Sequence, residues 1–477
     1  MKPIALILSL LLFISTSAAQ KLLWGMSCSN GVANGTIFKT DSSGNGYTDV
    51  YTFNDPVNGI DPYGSLILAA DGNLYGLTKN GGINNFGTIF KFDPAGFLYT
   101  KVHDFDSING KNPFGSLVQA SNGKLYGMTN SGGLYNRGVL FEFDIIANGF
   151  TKQIDFNMQN GAHPYGNLIE ASDGLLYGLS SQGGGDATGA LFQYDYTTGS
   201  IALKYSFILG PSNAGYDARG SLTQCTDGML YGLSRFGEPG FETGGGVIFK
   251  FDVSANPWEA FSPLHTFDEV FPGSADGYEL MGSLMQASNG KLYGMTQLGG
   301  NYLSGTIFEY DITSNTVYKL HDFNGITDGY RPYGSLMQAA DGNLYGLTTS
   351  ETGQAKMFQF DIASHTLTHK ANVTGTPYYT ALLETGNLSI GIPAIDPSVY
   401  VNIFPNPAGD YLNVDVSNGI RITKIAIIDC MGKVCKTDGE NFKGINIEKL
   451  PGGMYHLKLF TGSQVFNRKF FKVPLGQ

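Results

Sequence analysis

Charge is scarce in this chain. Asp, Glu, Lys and Arg make up 14% of its 477 residues, against about 25% in an average soluble domain. The formal net charge is -11, so the chain has no general affinity for nucleic-acid phosphate or anionic membrane. Cysteine is rarer still: Cys28, Cys225, Cys430 and Cys435. Their spacing makes no zinc site. Cys225 stands where the sibling segments carry Ala, which reads as a buried thiol. Cys430 and Cys435 flank a Met-Gly turn, with a disulfide and two thiols both open. After the first residues no apolar run is long enough to cross a bilayer. The start itself, Met1-Lys2, apolar residues 3–14, then small residues at Ser17 and Ala19, reads as a secretory signal peptide over 1–19. No Cys follows it, which argues against a lipoprotein. Catalytic signatures are missing as well: no Gly-x-Ser-x-Gly elbow and no His-Glu-x-x-His. The glycine run 183–189 lacks the Lys and following helix of a phosphate loop. No cofactor, metal or catalytic residue is expected.

Glycine is abundant at 66 residues, and aromatics reach 13%. One stretch, Gly115 to Thr129, recurs at 64–78, 166–180, 220–234, 282–296 and 334–348. In each copy two alternating runs flank Asp-Gly or Asn-Gly, the pair that tolerates positive φ in a hairpin turn. Two more short strands complete a unit of four. The second-strand mark falls at Trp24, Tyr75, Tyr126, Tyr177, Tyr231, Tyr293 and Tyr345, at steps of 51, 51, 51, 54, 62 and 52. The third-strand mark also occurs seven times, from Phe38 to Phe358. Four short strands repeated about every fifty residues describe β-propeller blades. The chain is therefore all-β, a seven-bladed propeller over residues 20–390.

The repeats begin on a second strand and end on a first strand, near Thr380 to Glu384. A ring resolves the mismatch: the last first-strand pairs with the strand around Trp24, and one blade is built from both ends of the repeat region. Gly-Ser at the start of the first strands suits the crowded axis. Leu66, Leu117, Leu168, Leu222, Leu284 and Leu336 should fill the space between blades. A monomer is expected.

The run Asp71 to Thr78, then Gly81-Gly82 and Gly87 to Asp93, resembles the GloVer tandem repeat of exported bacterial choice-of-anchor proteins. The resemblance covers 21 to about 390 and implies an exported repeat protein without implying an activity. The pattern is also kelch-like, although the later Trp of a kelch blade is missing.

Residues 391–398 read as a Pro-containing linker, and 399–477 as a small β-sandwich. From Val399 onward there are 10 Lys/Arg and 6 Asp/Glu, a net of +4 that leaves -15 on the remainder. Three pieces, Phe404 to Val414, Asp429 to Val434 and Leu450 to Leu457, resemble the type A sorting domain of the type IX secretion system. On that resemblance Pro405, Pro407, Tyr411, Val414, Gly432, Gly453, Tyr455 and Lys472 carry the sorting motif. The secretion machinery is then a partner, and the protein is secreted or attached to the outer-membrane surface.

The recurring turn Asp residues, and the Asp ending each third strand, are explained by turn hydrogen bonds. Function is expected on the face bearing the long, variable loops. There Phe86, Tyr135, Arg137, Phe236, Glu238 and Phe241 come from the loops after second strands. Asp217, Arg219, Glu279 and Arg331 come from the connections between blades. Rings beside Arg, Asp and Glu suit an unidentified glycan or protein ligand, and the expected role is binding or adhesion. The alternative is a glycan-acting hydrolase or lyase, which needs two close carboxylates or an acid–base pair in the central funnel.

Overall fold

The computed structural model describes residues 21–29, 34–208, 215–237, 245–255, 259–267, 276–350, 354–386, 401–405, 408–416, 422–429, 434–438, 444–461 and 465–473. The expected signal peptide, the linker, Glu238, Phe241, Pro407, Cys430 and Gly432 lie outside these residues. The chain divides into two compact units, Met1–Leu388 and Ser389–Gln477.

The first unit holds seven four-stranded antiparallel sheets. Six are continuous in sequence and are numbered here as blades 1 to 6; they run from 60–104 to 337–373. The closing blade joins Leu383–Thr385 to Leu22–Ser27, followed by Thr36–Asp41 and Thr48–Thr52. Its inner register is Leu22 to Thr385, Leu23 to Glu384 and Trp24 to Leu383. Trp24 Nε1 donates to Thr385 Oγ1 at 3.1 Å. The ring therefore closes as the strand count requires, and closure pairs the inner side of Leu22–Ser27 that would otherwise be an open edge.

The apolar core lies between blades. Leu117 packs with Tyr75, Ile89 and Phe105 of blade 1 and with Phe141 of blade 2. The inter-blade Leu residues and the third-strand Phe residues are all buried. His103 stacks on Phe150 of the next blade, with centroids 3.9 Å apart. Burial pushes its pKa down to about 4.

In five of the six continuous blades the inner strand is shorter than the sequence pattern suggests. In blade 2 only Val118–Gln119 is laddered. The preceding Gly-Ser segment turns its hydrogen bonds around the axis instead. Ser65 N donates to Ser116 Oγ, Ser116 N to Asn167 Oδ1, and Asn167 N to Ser221 Oγ. Ser221 N donates to Ser283 Oγ, Ser283 N to Ser335 Oγ, and Ala381 N to Ser65 Oγ. A second lacing joins the turns of the opposite face. Gln119, Glu170, Gln224, Gln286, Gln338 and Glu384 each accept a backbone N–H from the previous blade's turn, at 2.8–3.0 Å.

Each complete blade also seats its tyrosine on a carboxylate. Where the turn carries Asp, that Asp accepts the hydroxyl: Tyr75 on Asp71, Tyr177 on Asp173, Tyr231 on Asp227 and Tyr345 on Asp341. Where the turn carries Asn, the acceptor moves to the third strand: Tyr126 on Glu142 and Tyr293 on Glu309. Asn122→Asp alone would set two carboxylates on one hydroxyl and should cost about 1–2 kcal/mol. Adding Glu142→Gln recreates the Asp173/Gln193 arrangement of blade 3 and should recover most of it. Urea denaturation of the two single variants and the double variant checks this. Additive losses would mean that the positions are uncoupled.

In the second unit a three-stranded sheet (Val401–Phe404, Tyr411–Val416, Ile445–Asn446) and a four-stranded sheet share one apolar core. The four-stranded sheet is ordered Val434–Asp438, Ile422–Asp429, Gly453–Thr461, Val465–Lys472. Leu412, Val414 and Ile445 of the first meet Ile425, Ile427, Leu457 and Phe470 of the second.

Candidate functional site

Each long connection reaches the axis through a three-residue approach to the inner glycine. The first residue of the approach is left-handed in all six blades: Asp61, Asn112, His163, Asp217, Glu279 and Arg331, with φ between 43° and 57°. Non-glycine residues hold this conformation at a cost of roughly 1–2 kcal/mol. Several of these side chains meet residues at or just after the end of a second strand. Asp61 accepts from Asn80 at 2.9 Å, Asn112 donates to the Lys79 carbonyl at 3.1 Å, and His163 Nδ1 lies 3.0 Å from the Asn130 carbonyl.

The third residue of the approach forms the floor of a funnel: Tyr63, Phe114, Tyr165, Arg219, Met281 and Tyr333, with Tyr379 from the closing segment. Tyr379 lies 6.4, 6.4, 6.0 and 6.5 Å from the rings of Tyr63, Phe114, Tyr165 and Tyr333. The Arg219 guanidinium covers Tyr165 at 4.7 Å. Burial raises Tyr379 to about 12, although Arg219 beside it acts in the opposite sense. Beneath this floor an axial cavity of about 210 Å³ is lined by the inner Gly and Ser residues, Arg219 and Tyr379. A second cavity of about 390 Å³ opens beside it between His163, Tyr165, Thr188, Tyr216, Asp217 and Phe236.

Four of the sequence candidates come together here. Asp217 pairs with Arg219 at 2.9 Å and with Arg235 at 3.3 Å, and Arg235 also reaches Glu279 at 3.3 Å. Phe236 lies beneath the Arg235 guanidinium at 4.4 Å. Arg235 was not among the candidates, yet it joins two of them; its place directly after the strand Leu230–Ser234 was the available signal. Phe86 and Arg137 sit in neighbouring blades. Phe86 lies under Lys111 at 5.6 Å, and Arg137 donates to the Met158 sulfur at 2.8 Å. Tyr135 and Arg331 are exposed.

The sequence matches the model of the Gloeobacter/Verrucomicrobia repeat in three overlapping segments, 14–155, 117–285 and 226–391. The chain belongs to the Gloeobacter/Verrucomicrobia repeat family. Residues 402–473 match the secretion system C-terminal sorting domain. A Gloeobacter/Verrucomicrobia repeat protein carrying this type IX signal is secreted or displayed on the cell surface. Among the described residues no helix is long and apolar enough to cross a membrane. No curated protein matches the chain.

Solved structures share the fold of this repeat protein at low identity. A candidate 6-phosphogluconolactonase from Bacteroides fragilis is 15% identical, with a TM-score of 0.52, covering 78% of this chain and 99% of its own. The periplasmic gluconolactonase of Pseudomonas aeruginosa is 14% identical, with a TM-score of 0.52, covering 77% and 99%.

The described sorting-motif residues divide into core and surface. Val414 and Tyr455 are buried, and Tyr455 donates to the Pro451 carbonyl at 3.0 Å. Lys472 is 1% exposed and pairs with Asp410 at 3.1 Å. Tyr411 is exposed and opens its strand, Pro405 is exposed, and Gly453 starts the long strand of the second sheet.

Proposed function

We propose that this secreted propeller is a binding or adhesion module whose glycan or protein ligand seats in the axial funnel. One observation carries the reading: aromatic rings from four blades converge on Tyr379 beside an Arg–carboxylate wall, and these rings are part-exposed. Rings needed only for packing would sit with Phe90 and Phe141 in the buried layer. The left-handed residues around the rim add support, since strain of this kind gathers at ligand sites.

Catalysis is the weaker reading. The two carboxylates of the cluster, Asp217 and Glu279, are both held by Arg235. The likeness to two lactonases is one of fold and brings no residues with it.

A glycan array probed with the full-length protein tests the proposal. Tyr165→Ala and Tyr379→Ala should each weaken retention by about tenfold, the loss of one stacked ring with its desolvated contacts. Retention unchanged in both variants, with melting temperatures near wild type, would remove the funnel from the site. Cleavage of arrayed glycans would replace binding by catalysis.

A further inference from the structure

We propose that the funnel takes an acidic sugar chain, with its anionic groups on Lys79, Lys111 and Arg137 and its ring faces on the aromatic floor. This deepens the binding reading above and rests on it.

The cations are distinguished by what they lack. Lys79 Nζ stands 4.9 Å from the Tyr63 ring and 4.8 Å from the Phe114 ring. Lys111 Nζ stands over Phe86, and Arg137 meets only a neutral sulfur through its side chain. Among the described residues none of the three takes part in an ion pair. All three are half-buried. A cation drawn partly out of water without a counter-ion is a vacancy for an anion.

They also share one sector of the rim. Asn112, next to Lys111, donates its side chain to the Lys79 carbonyl and its backbone N–H to the Phe86 carbonyl. The Arg137 carbonyl accepts from the His163 backbone at 2.9 Å. The carboxylates of these loops are already engaged: Asp61 by the Asn80 amide, Asp104 by Lys101 and the Ile83 N–H, Asp106 by the Ile108 and Asn109 N–H groups, and Asp155 by Lys152 and the Leu134 N–H. His163 adds no charge at neutral pH, because burial holds its pKa below the usual value. Across the funnel Arg219 and Arg235 are already neutralised by Asp217 and Glu279. One side is thus cationic and the other balanced, in a chain whose formal charge is -11. The floor decides between sugar and acidic peptide: part-exposed ring faces beside cations suit alternating sugar faces and carboxylates.

Isothermal titration of the full-length protein with oligogalacturonate, and with a neutral cello-oligosaccharide of equal length, tests the inference. The acidic chain should bind at least about tenfold tighter at low salt, and the gap should narrow as salt rises. Lys79→Gln combined with Lys111→Gln should erase the preference and leave the neutral sugar's affinity in place. Equal affinity for both sugars overturns the inference while the binding reading stands. Preference for poly-glutamate over both sugars overturns it too, as does oligogalacturonate binding that survives the double substitution. Failure to bind either sugar, with an empty array, removes the glycan reading as well.

Discussion

Deleting residues 1–34 is expected to abolish cooperative folding of the ring. The strand Leu22–Ser27 pairs on both sides, with Leu383–Thr385 and with Thr36–Asp41. Its side chains also bond two neighbouring blades. Leu23 packs with Tyr345, Leu347, Met357 and Leu382 on one side. Trp24 and Met26 pack with Leu66, Phe90 and Phe92 on the other. Without this strand two edges and two apolar faces open together, and repeat stability depends on such neighbour contacts. The milder form is Trp24→Ala, which empties the largest buried side chain of the blade and strands the Thr385 hydroxyl. It should cost about 3–5 kcal/mol. Thermal melts by circular dichroism decide the matter. A truncated protein that melts with the intact one would mean that the ring does not depend on its closing blade.

Gly220→Ala is expected to cost about 3 kcal/mol, the upper end for small-to-large substitutions in packed interiors. A Cβ on Gly220 would run into the Gly282 carbonyl oxygen, and one on Gly282 into that of Gly334. The obstacle in each case is backbone, and it belongs to the adjacent blade. Moving it would break the Ser221-to-Ser283 and Ser283-to-Ser335 links of the axial lacing. The ring offers no slack, because each blade is braced by the next. Gly228→Ala is the control. Gly228 has φ 84° with nothing near its missing Cβ, so only backbone strain of about 1 kcal/mol applies. Equal losses in urea denaturation of the two variants would show that axial crowding does not limit this fold.

The repeat period made blade number and closure legible, because seven second strands, Trp24 to Tyr345, had to balance seven first strands. Asp93 and Asp144 also act as read, accepting turn N–H groups from Ala95 and Ile146. What escaped was every bond from one blade to the next. Ser65 and Ser116 stand 51 residues apart, and nothing in either residue announces the partner. The Asn122/Glu142 exchange for Asp173/Gln193 was visible as spelling but not as chemistry. At the site, the blades of irregular length drew attention to Phe236 and Glu279, which both lie against Arg235. Lys79 and Lys111 escaped notice because a lysine in a sequence looks the same with or without a counter-ion nearby. Only the surroundings distinguish them.

The segment that carries Tyr379 into the funnel runs directly into Leu383–Thr385, at the opposite end of the axis. A cargo gripped at the floor and a tail held beyond Gly386 would therefore pull on one continuous ribbon. Because that ribbon lies antiparallel to Leu22–Trp24, tension acts along the pair and loads its bonds together instead of peeling them singly. On the proposed binding reading, a grip at the floor and a tether beyond Gly386 would share a single tendon through the hub.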